Sequence, residues 1–259
     1  MSIRSLFQWV ISQISGRQKQ PEKSRNEEIN ALLIDTFAEY TSGDLTPGSG
    51  DVDLIDQACH RMQHAKTKGE LLHLLADEMA RFDLRYLEQM YARFDEKTRD
   101  LPLKYRNILL PKVKEQLFAA HHRLLLLARS GEAEELIDPL SPAVWAFFEM
   151  VGIAAREKAK TKDPTFLYLK YLLAGFTIFV MDEPAHPVGT PFPGGQIVDQ
   201  WDGEYLCPVR DYADEIRFAL CPFCPAVQSV EPTYPEMRKE RRRRRRKESL
   251  NNYWTNYKG

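Results

Sequence analysis

No run of apolar residues in this sequence is long enough to cross a bilayer. The longest nearly continuous one, Tyr171 to Met181, has eleven residues, roughly half of what a spanning helix needs. The first residues hold no apolar stretch followed by a small-residue cleavage pattern, so secretion is not expected. Cysteine is scarce, four in 259 residues, which excludes a secreted disulfide framework and suits a reducing cytoplasm. No phosphate-loop lysine follows Gly194-Gly195, where a turn is the simpler reading. Nucleophile elbow, dinucleotide fingerprint and internal repeat are missing too. These absences remove the motif-defined nucleotide-binding and hydrolase classes and the solenoids.

What is present is enough apolar material for a core. Hydrophobic residues make up 43% of the chain, so its body is globular rather than disordered. The net charge of −1 hides an asymmetry. Arg238 to Lys247, "RKERRRRRRK", holds nine basic residues and one acid, or +8, against 27 basic and 36 acidic residues elsewhere, or −9. An acidic body therefore carries a strongly basic tail.

Helical periodicity dominates up to Met181. Ile3, Phe7, Val10 and Ile14 share one helical face, followed by a polar, basic stretch to Arg25. Residues 1–25 read as an amphipathic arm and linker, and residues 26–181 as a helical bundle. Ser24 with Glu27, and Thr67 with Glu70, have capping-box spacing, in which two side chains reciprocally satisfy free backbone N–H groups. Asp51 can cap a helix to about Ala65. Leu71, Leu75, Met79, Phe82, Tyr86, Met90 and Phe94 form a stripe spaced by threes and fours, predicting one long helical stretch. Leu103 to Arg129 predicts another, stopped by Gly131 and kinked or split at Pro111. Ser141-Pro142 and Asp163-Pro164 each place a cap residue before a proline, opening two further helices. The second is apolar on nearly every face and belongs at the centre of the bundle.

After Met181 the texture changes. "DEPAHPVGTPFPGG" has four prolines and three glycines and cannot be regular helix. "QIVDQWDGEYLCPV" reads as a hairpin turning at Asp202-Gly203, with Trp201 facing Glu204 and Val198 facing Cys207. Residues 182–230 are thus a Cys-containing module packed on the bundle, and 231–259 a disordered basic tail. The expected class is all-α, with a small C-terminal β-hairpin module.

Cys207, Cys221 and Cys224 have the spacing C-x13-C-x2-C, and each is followed by proline or lies beside one. Two thiolates two residues apart can hold one metal ion from a tight turn. Zinc takes four thiolate or imidazole ligands, and His186 is the nearest histidine to complete a Cys3His set. An iron–sulfur cluster on three cysteines fits the same residues. Dithiol redox chemistry is a second reading, because "CPFC" looks like a glutaredoxin-type active site. That family places the motif after a first strand at a helix N-terminus, and no such strand precedes it here. Inert packing of buried thiols is a third. Cys59, between Ile55 and Met62 on an apolar face, reads as core.

"HPVGTPFPGG" at 186–195, "YLCPVR" at 205–210 and "ALCPFCPA" at 219–226 resemble an uncharacterised archaeal protein family known chiefly from methanogens, a domain of unknown function. The resemblance is strongest over Pro184 to Gln228. It implies an archaeal, anaerobic cytoplasm, where iron–sulfur chemistry is at home. The arginine run looks like an addition to the family pattern.

His60 and His64, four apart, can share a metal, but Arg61 stands where a zincin has glutamate, so an exposed polar face is the simpler reading. His121 falls in an apolar stripe and reads as a satisfied, partly buried histidine. Arg241, Arg242, Arg243, Arg244, Arg245 and Arg246 repel one another unless they meet a polyanion. RNA or DNA would be bound there by counterion release, with Tyr253, Trp254 and Tyr257 near enough to stack on bases. An acidic protein partner, or the acidic body itself, is the alternative. Two functions stand: a metal-binding, non-catalytic interaction protein, and a redox enzyme using the same cysteines.

Overall fold

A computed structural model describes residues 51–192, 196–211 and 216–229. The N-terminal arm, the Ser24–Glu27 cap, the Gly194-Gly195 turn and the arginine run lie outside these residues. Helix α1, Val52–Gln63, starts at Asp51, whose carboxylate accepts the N–H groups of Asp53 and Leu54 at 2.9 and 3.3 Å. Helix α2, Lys68–Met79, starts at Thr67, whose hydroxyl accepts the Glu70 N–H at 3.2 Å. Glu70 reaches back past Thr67 to the N–H of Lys66 at 2.7 Å, so the box closes one residue upstream of the expected position.

The stripe from Leu71 to Phe94 is buried throughout, but it belongs to two helices. Met79 ends α2, and α3 spans Leu84–Lys97. Asp83 causes the break: its carboxylate accepts the Arg85 N–H at 2.9 Å, which gives a new helix start the acceptor it needs. Helix α4, Leu103–Lys114, contains Pro111 without stopping there. It widens into a π-turn, Glu115–Ala119, and continues as α5, Ala120–Ser130, which Gly131 ends at φ +83°. Helix α6, Ala143–Ala159, follows Ser141, and α7, Thr165–Gly175, follows Asp163; both cap residues accept an N–H two residues on, at 3.3 and 2.7 Å. Every residue of α7 is buried, which puts this helix at the centre of the bundle. It runs into a second π-turn, Phe176–Val180.

Aromatic rings fix the core around Phe147 on α6. It meets Phe148, Tyr171, Phe179 and Phe223 edge-on at 5.0 to 6.2 Å, the arrangement that the ring quadrupole favours. Phe223 lies inside the Cys221–Cys224 turn, so this contact ties the C-terminal segment to the bundle.

Strands β1, Asp199–Trp201, and β2, Glu204–Cys207, form the expected antiparallel hairpin, with Trp201 opposite Glu204. Asp202 and Gly203 both have positive φ, 52° and 88°, as a tight primed turn requires. A third strand, β3, Val227–Gln228, adds to β2 in parallel, with Cys207 opposite Gln228. Two tyrosines also bind this segment to the helices. Tyr105 donates its hydroxyl to the Pro191 carbonyl at 3.0 Å, and Tyr171 to that of Phe218 at 2.9 Å. Among the described residues no helix is long and apolar enough to cross a membrane.

Candidate thiol site

The β2–β3 pairing brings together two cysteines far apart in sequence. Cys207 ends β2, and Cys224 stands three residues before β3. The Gln228 side chain ties the two segments. Its amide nitrogen donates to the Pro208 carbonyl at 3.0 Å, and its oxygen accepts the Asp211 N–H at 2.9 Å. The chain after Cys207 is therefore held in a turn against β3. The Arg210 guanidinium spans from that turn to the Pro222 carbonyl at 3.5 Å.

Both sulfurs are set among backbone amides. The N–H groups of Val209 and Arg210 lie against Cys207, and those of Ala226 and Ala185 against Cys224. Proline directly after each cysteine accounts for Val209, Arg210 and Ala226, since it turns the chain so that the following amides face back to sulfur; Ala185 comes from the loop after α7. These N–H groups favour thiolate, yet burial outweighs them. It pushes the Cys207 thiol up to about 11, helped by the neighbouring Cys224, and raises Cys224 as well. None of the four cysteines is in a disulfide.

Cys221 shares the turn with Cys224, whose N–H bonds the Cys221 carbonyl at 3.1 Å. Its side chain is buried in a separate small cluster with Ala219 and Ile216. His186 follows Ala185, so the backbone carries it to the edge of the thiol pair. Its ring stands edge-on to Phe192 at 5.8 Å. Burial, with the Lys170 ammonium nearby, lowers its pKa to about 4, so the imidazole is neutral, the form that ligates metals. Lys170 also opposes a cation at that ring. Donor chemistry thus suits a soft metal, whereas geometry gathers only two of the four expected ligands. Among the described residues no group of three or more His, Cys, Asp and Glu is assembled as a metal ion needs.

Other readings from the sequence resolve simply. Cys59 is core, 3% exposed. His60 and His64 are exposed and stack on each other at 4.4 Å, with His64 Nδ1 bonded to the His60 carbonyl. His121 is buried rather than partly buried; its ring bonds to the Phe82 backbone, while Nε2 has no hydrogen-bond partner, so the satisfied histidine expected is half met. Burial lowers its pKa and keeps that nitrogen uncharged. The sequence reading missed Gln228 and the buried Glu78, which takes Arg61, Arg81 and the Tyr168 hydroxyl at 2.8 to 3.1 Å. The three Cys-Pro steps were a usable signal for the amide cradles; nothing local marked Gln228.

A family model described as an uncharacterized protein conserved in archaea (DUF2115) matches residues 67–229. A UPF0305 protein of Methanopyrus kandleri is 33% identical over 133 residues, 50% of this chain and 88% of the relative. A UPF0305 protein of Methanothermobacter thermautotrophicus is 45% identical over 69 residues, 27% of this chain and 43% of its own. One from Methanococcus maripaludis is 35% identical over 49 residues, 19% of this chain and 30% of its own. No solved structure matches.

Proposed function

The chain belongs to this family of uncharacterised proteins conserved in archaea, and from that premise we propose that it is a metal-binding, non-catalytic interaction protein of the archaeal cytoplasm. The observation that carries the reading is the convergence of Cys207 and Cys224, each backed by amides that stabilise a thiolate. Cys207 and Cys224 would hold zinc or an iron–sulfur cluster, with Cys221, on the same turn, as the third thiol. His186 is the weaker fourth donor because Lys170 lies beside it. A bound metal supplies a cross-link between β2 and the turn before β3, a segment with little core of its own.

The thiol acidities favour a structural metal over redox catalysis. A thiol that attacks disulfides at neutral pH needs a lowered pKa. Here burial moves both in the opposite direction. A metal overcomes that obstacle by displacing the proton, whereas a free dithiol enzyme has nothing to do so.

Anaerobically purified protein tests the proposal by elemental analysis and colour. About one zinc, or brown iron with acid-labile sulfide, per chain is the expected result. Substoichiometric metal in wild type, or full retention by Cys224→Ser, would refute it.

The interaction role rests on the basic run, +8 in ten residues beside a −9 remainder. Its partner would be a polyanion, RNA or DNA, or an acidic protein. RNA titrated into full-length protein and a 1–237 truncation at two salt concentrations separates these. Nucleic-acid binding predicts a log–log salt slope of about 0.7 to 0.9 per phosphate contact, lost with the run. Equal binding by both forms, or none by either, would remove nucleic acid and leave a protein partner.

A further inference from the structure

Ala185, whose N–H faces the Cys224 sulfur, also lines a cleft of 280 Å³. Both π-turns open onto it: Gln116 and Ala119 come from the first, Phe176 and Thr177 from the second. A π-turn departs from regular α-helical hydrogen bonding and is frequent at functional sites. Two of them, from different helices, front one cavity here. The proline-rich loop after the second π-turn and the β1–β2 hairpin, through Gln200 and Tyr205, complete the walls.

The polar groups of this cleft divide by charge. The charged ones are already paired. Arg123 donates to both Glu183 oxygens at 2.8 and 2.9 Å, and Lys112 to Glu115 at 2.6 Å. Of the neutral ones, Thr177 donates its hydroxyl to the Leu173 carbonyl at 2.9 Å, whereas the side chains of Gln116, Gln200 and Tyr205 make no hydrogen bond to a described residue. Two carboxamides and a phenol, each able to donate and accept, thus line a space walled by alanine, proline, valine and Phe176, with Gln200 at its exposed side and Gln116 and Tyr205 half-buried. The volume is close to the lower end of metabolite sites, about 300 Å³.

We propose that this cleft binds a neutral, ring-sized molecule through a carboxamide or lactam edge. A glutamine amide pairs with such an edge by one donated and one accepted hydrogen bond, and the apolar walls cover the ring. A charged head group gains less, because reaching Arg123 or Glu115 means breaking an existing ion pair. The inference is independent of the metal reading, and performing the test with and without a chelator keeps the two distinguishable.

Benzamide, benzoate and benzamidinium share one ring and differ in head-group charge, which makes them matched probes. Each is titrated into full-length, ¹⁵N-labelled protein while the side-chain NH₂ signals of Gln116 and Gln200 are followed. The expected result is saturable movement with benzamide, at an affinity about tenfold tighter than either ion. Gln116→Leu and Gln200→Leu should each weaken benzamide three- to tenfold, since each removes a neutral hydrogen-bonding group. Tyr205→Phe, which deletes a single oxygen, serves as the second variant should a leucine variant fail to fold; it too should weaken benzamide. Benzoate or benzamidinium binding as tightly as benzamide, no saturable movement, or unchanged affinity in the folded variants would overturn the proposal.

Discussion

Metal binding at the Cys207–Cys224 pair should release protons in a number set by the burial of the thiols. An ordinary thiol, with pKa about 8.5, is half ionised at pH 8.5, so its contribution to pH dependence is fading there. Cys207 is pushed up to about 11, and Cys224 is raised too. Cys207 therefore remains protonated across pH 6.5 to 8.5, burial likewise favours the protonated form of Cys224, and each must lose its proton to bind. His186, with its pKa lowered to about 4, adds no proton over this range. The apparent affinity should climb by about two log units per pH unit, or about 10⁴-fold between pH 6.5 and 8.5, and more steeply if Cys221 joins. Anaerobic competition of Zn²⁺ between the protein and a chromophoric chelator, at three pH values under reducing conditions, measures the slope. After correction for the chelator's own protons, a slope of one or below would refute paired ligation by buried thiols. A slope of two that collapses to one in Cys207→Ser would support it.

Two further predictions concern the bundle. A Cβ at Gly69 would lie 2.0 Å from the Ala133 carbonyl oxygen, against backbone that cannot swing away, and Gly69 also donates its N–H to Leu136. Gly69→Ala should cost about 3 kcal/mol in urea denaturation, as forced overpacking does; an unchanged midpoint would mean that this contact yields freely. Cys59 is raised to about 12, mainly by burial and then by Asp56 and Glu78, from an unfolded value near 9. The folded state therefore holds its proton more tightly. The resulting stability is fully present below pH 9 and is lost as pH rises toward 12, about 4 kcal/mol in all. Between pH 9 and 11 the Cys59→Ala variant should lose stability less steeply than wild type; parallel curves would contradict this.

Most of the helical architecture was legible because its signals are local. Asp51, Thr67, Ser141 and Asp163 each cap a helix through an oxygen two or three residues from the N–H it accepts. The Asp202-Gly203 turn fixed the hairpin register for the same reason. The error at Arg81 to Asp83 shows the limit of periodicity. A stripe of threes and fours continues across a break when both helices pack on the same core, so burial alone cannot reveal the interruption. The π-turns were not legible either, since nothing in "EQLFA" or "FTIFV" distinguishes them from α-helix. At the thiol site the cysteines and their grouping were visible, but the strand pairing that brings two of them together was not. The spacing grouped Cys207 with Cys221 and Cys224, but it held no sign of the parallel β2–β3 ladder, a non-local feature, that sets Cys207 beside Cys224.

That ladder also explains why the pair can be held ready without relying on a metal. The turn carrying Cys224 is located by the bundle: Phe223 meets the Phe147 ring at 5.2 Å, and Tyr171 holds the Phe218 carbonyl. Phe218 itself adopts φ +65°, a left-handed conformation costing a bulky residue about 1 to 2 kcal/mol. The Tyr171 hydrogen bond, and the Arg217 guanidinium 4.5 Å over the Phe218 ring, help to offset that cost. The Cys207 side is located by Gln228, with a bond to each flank of its turn. Each thiol is thus placed by neighbours that would not themselves bind metal. Supporting contacts of this kind keep a site within reach of its bound geometry, which lowers the ordering cost that ligation must overcome.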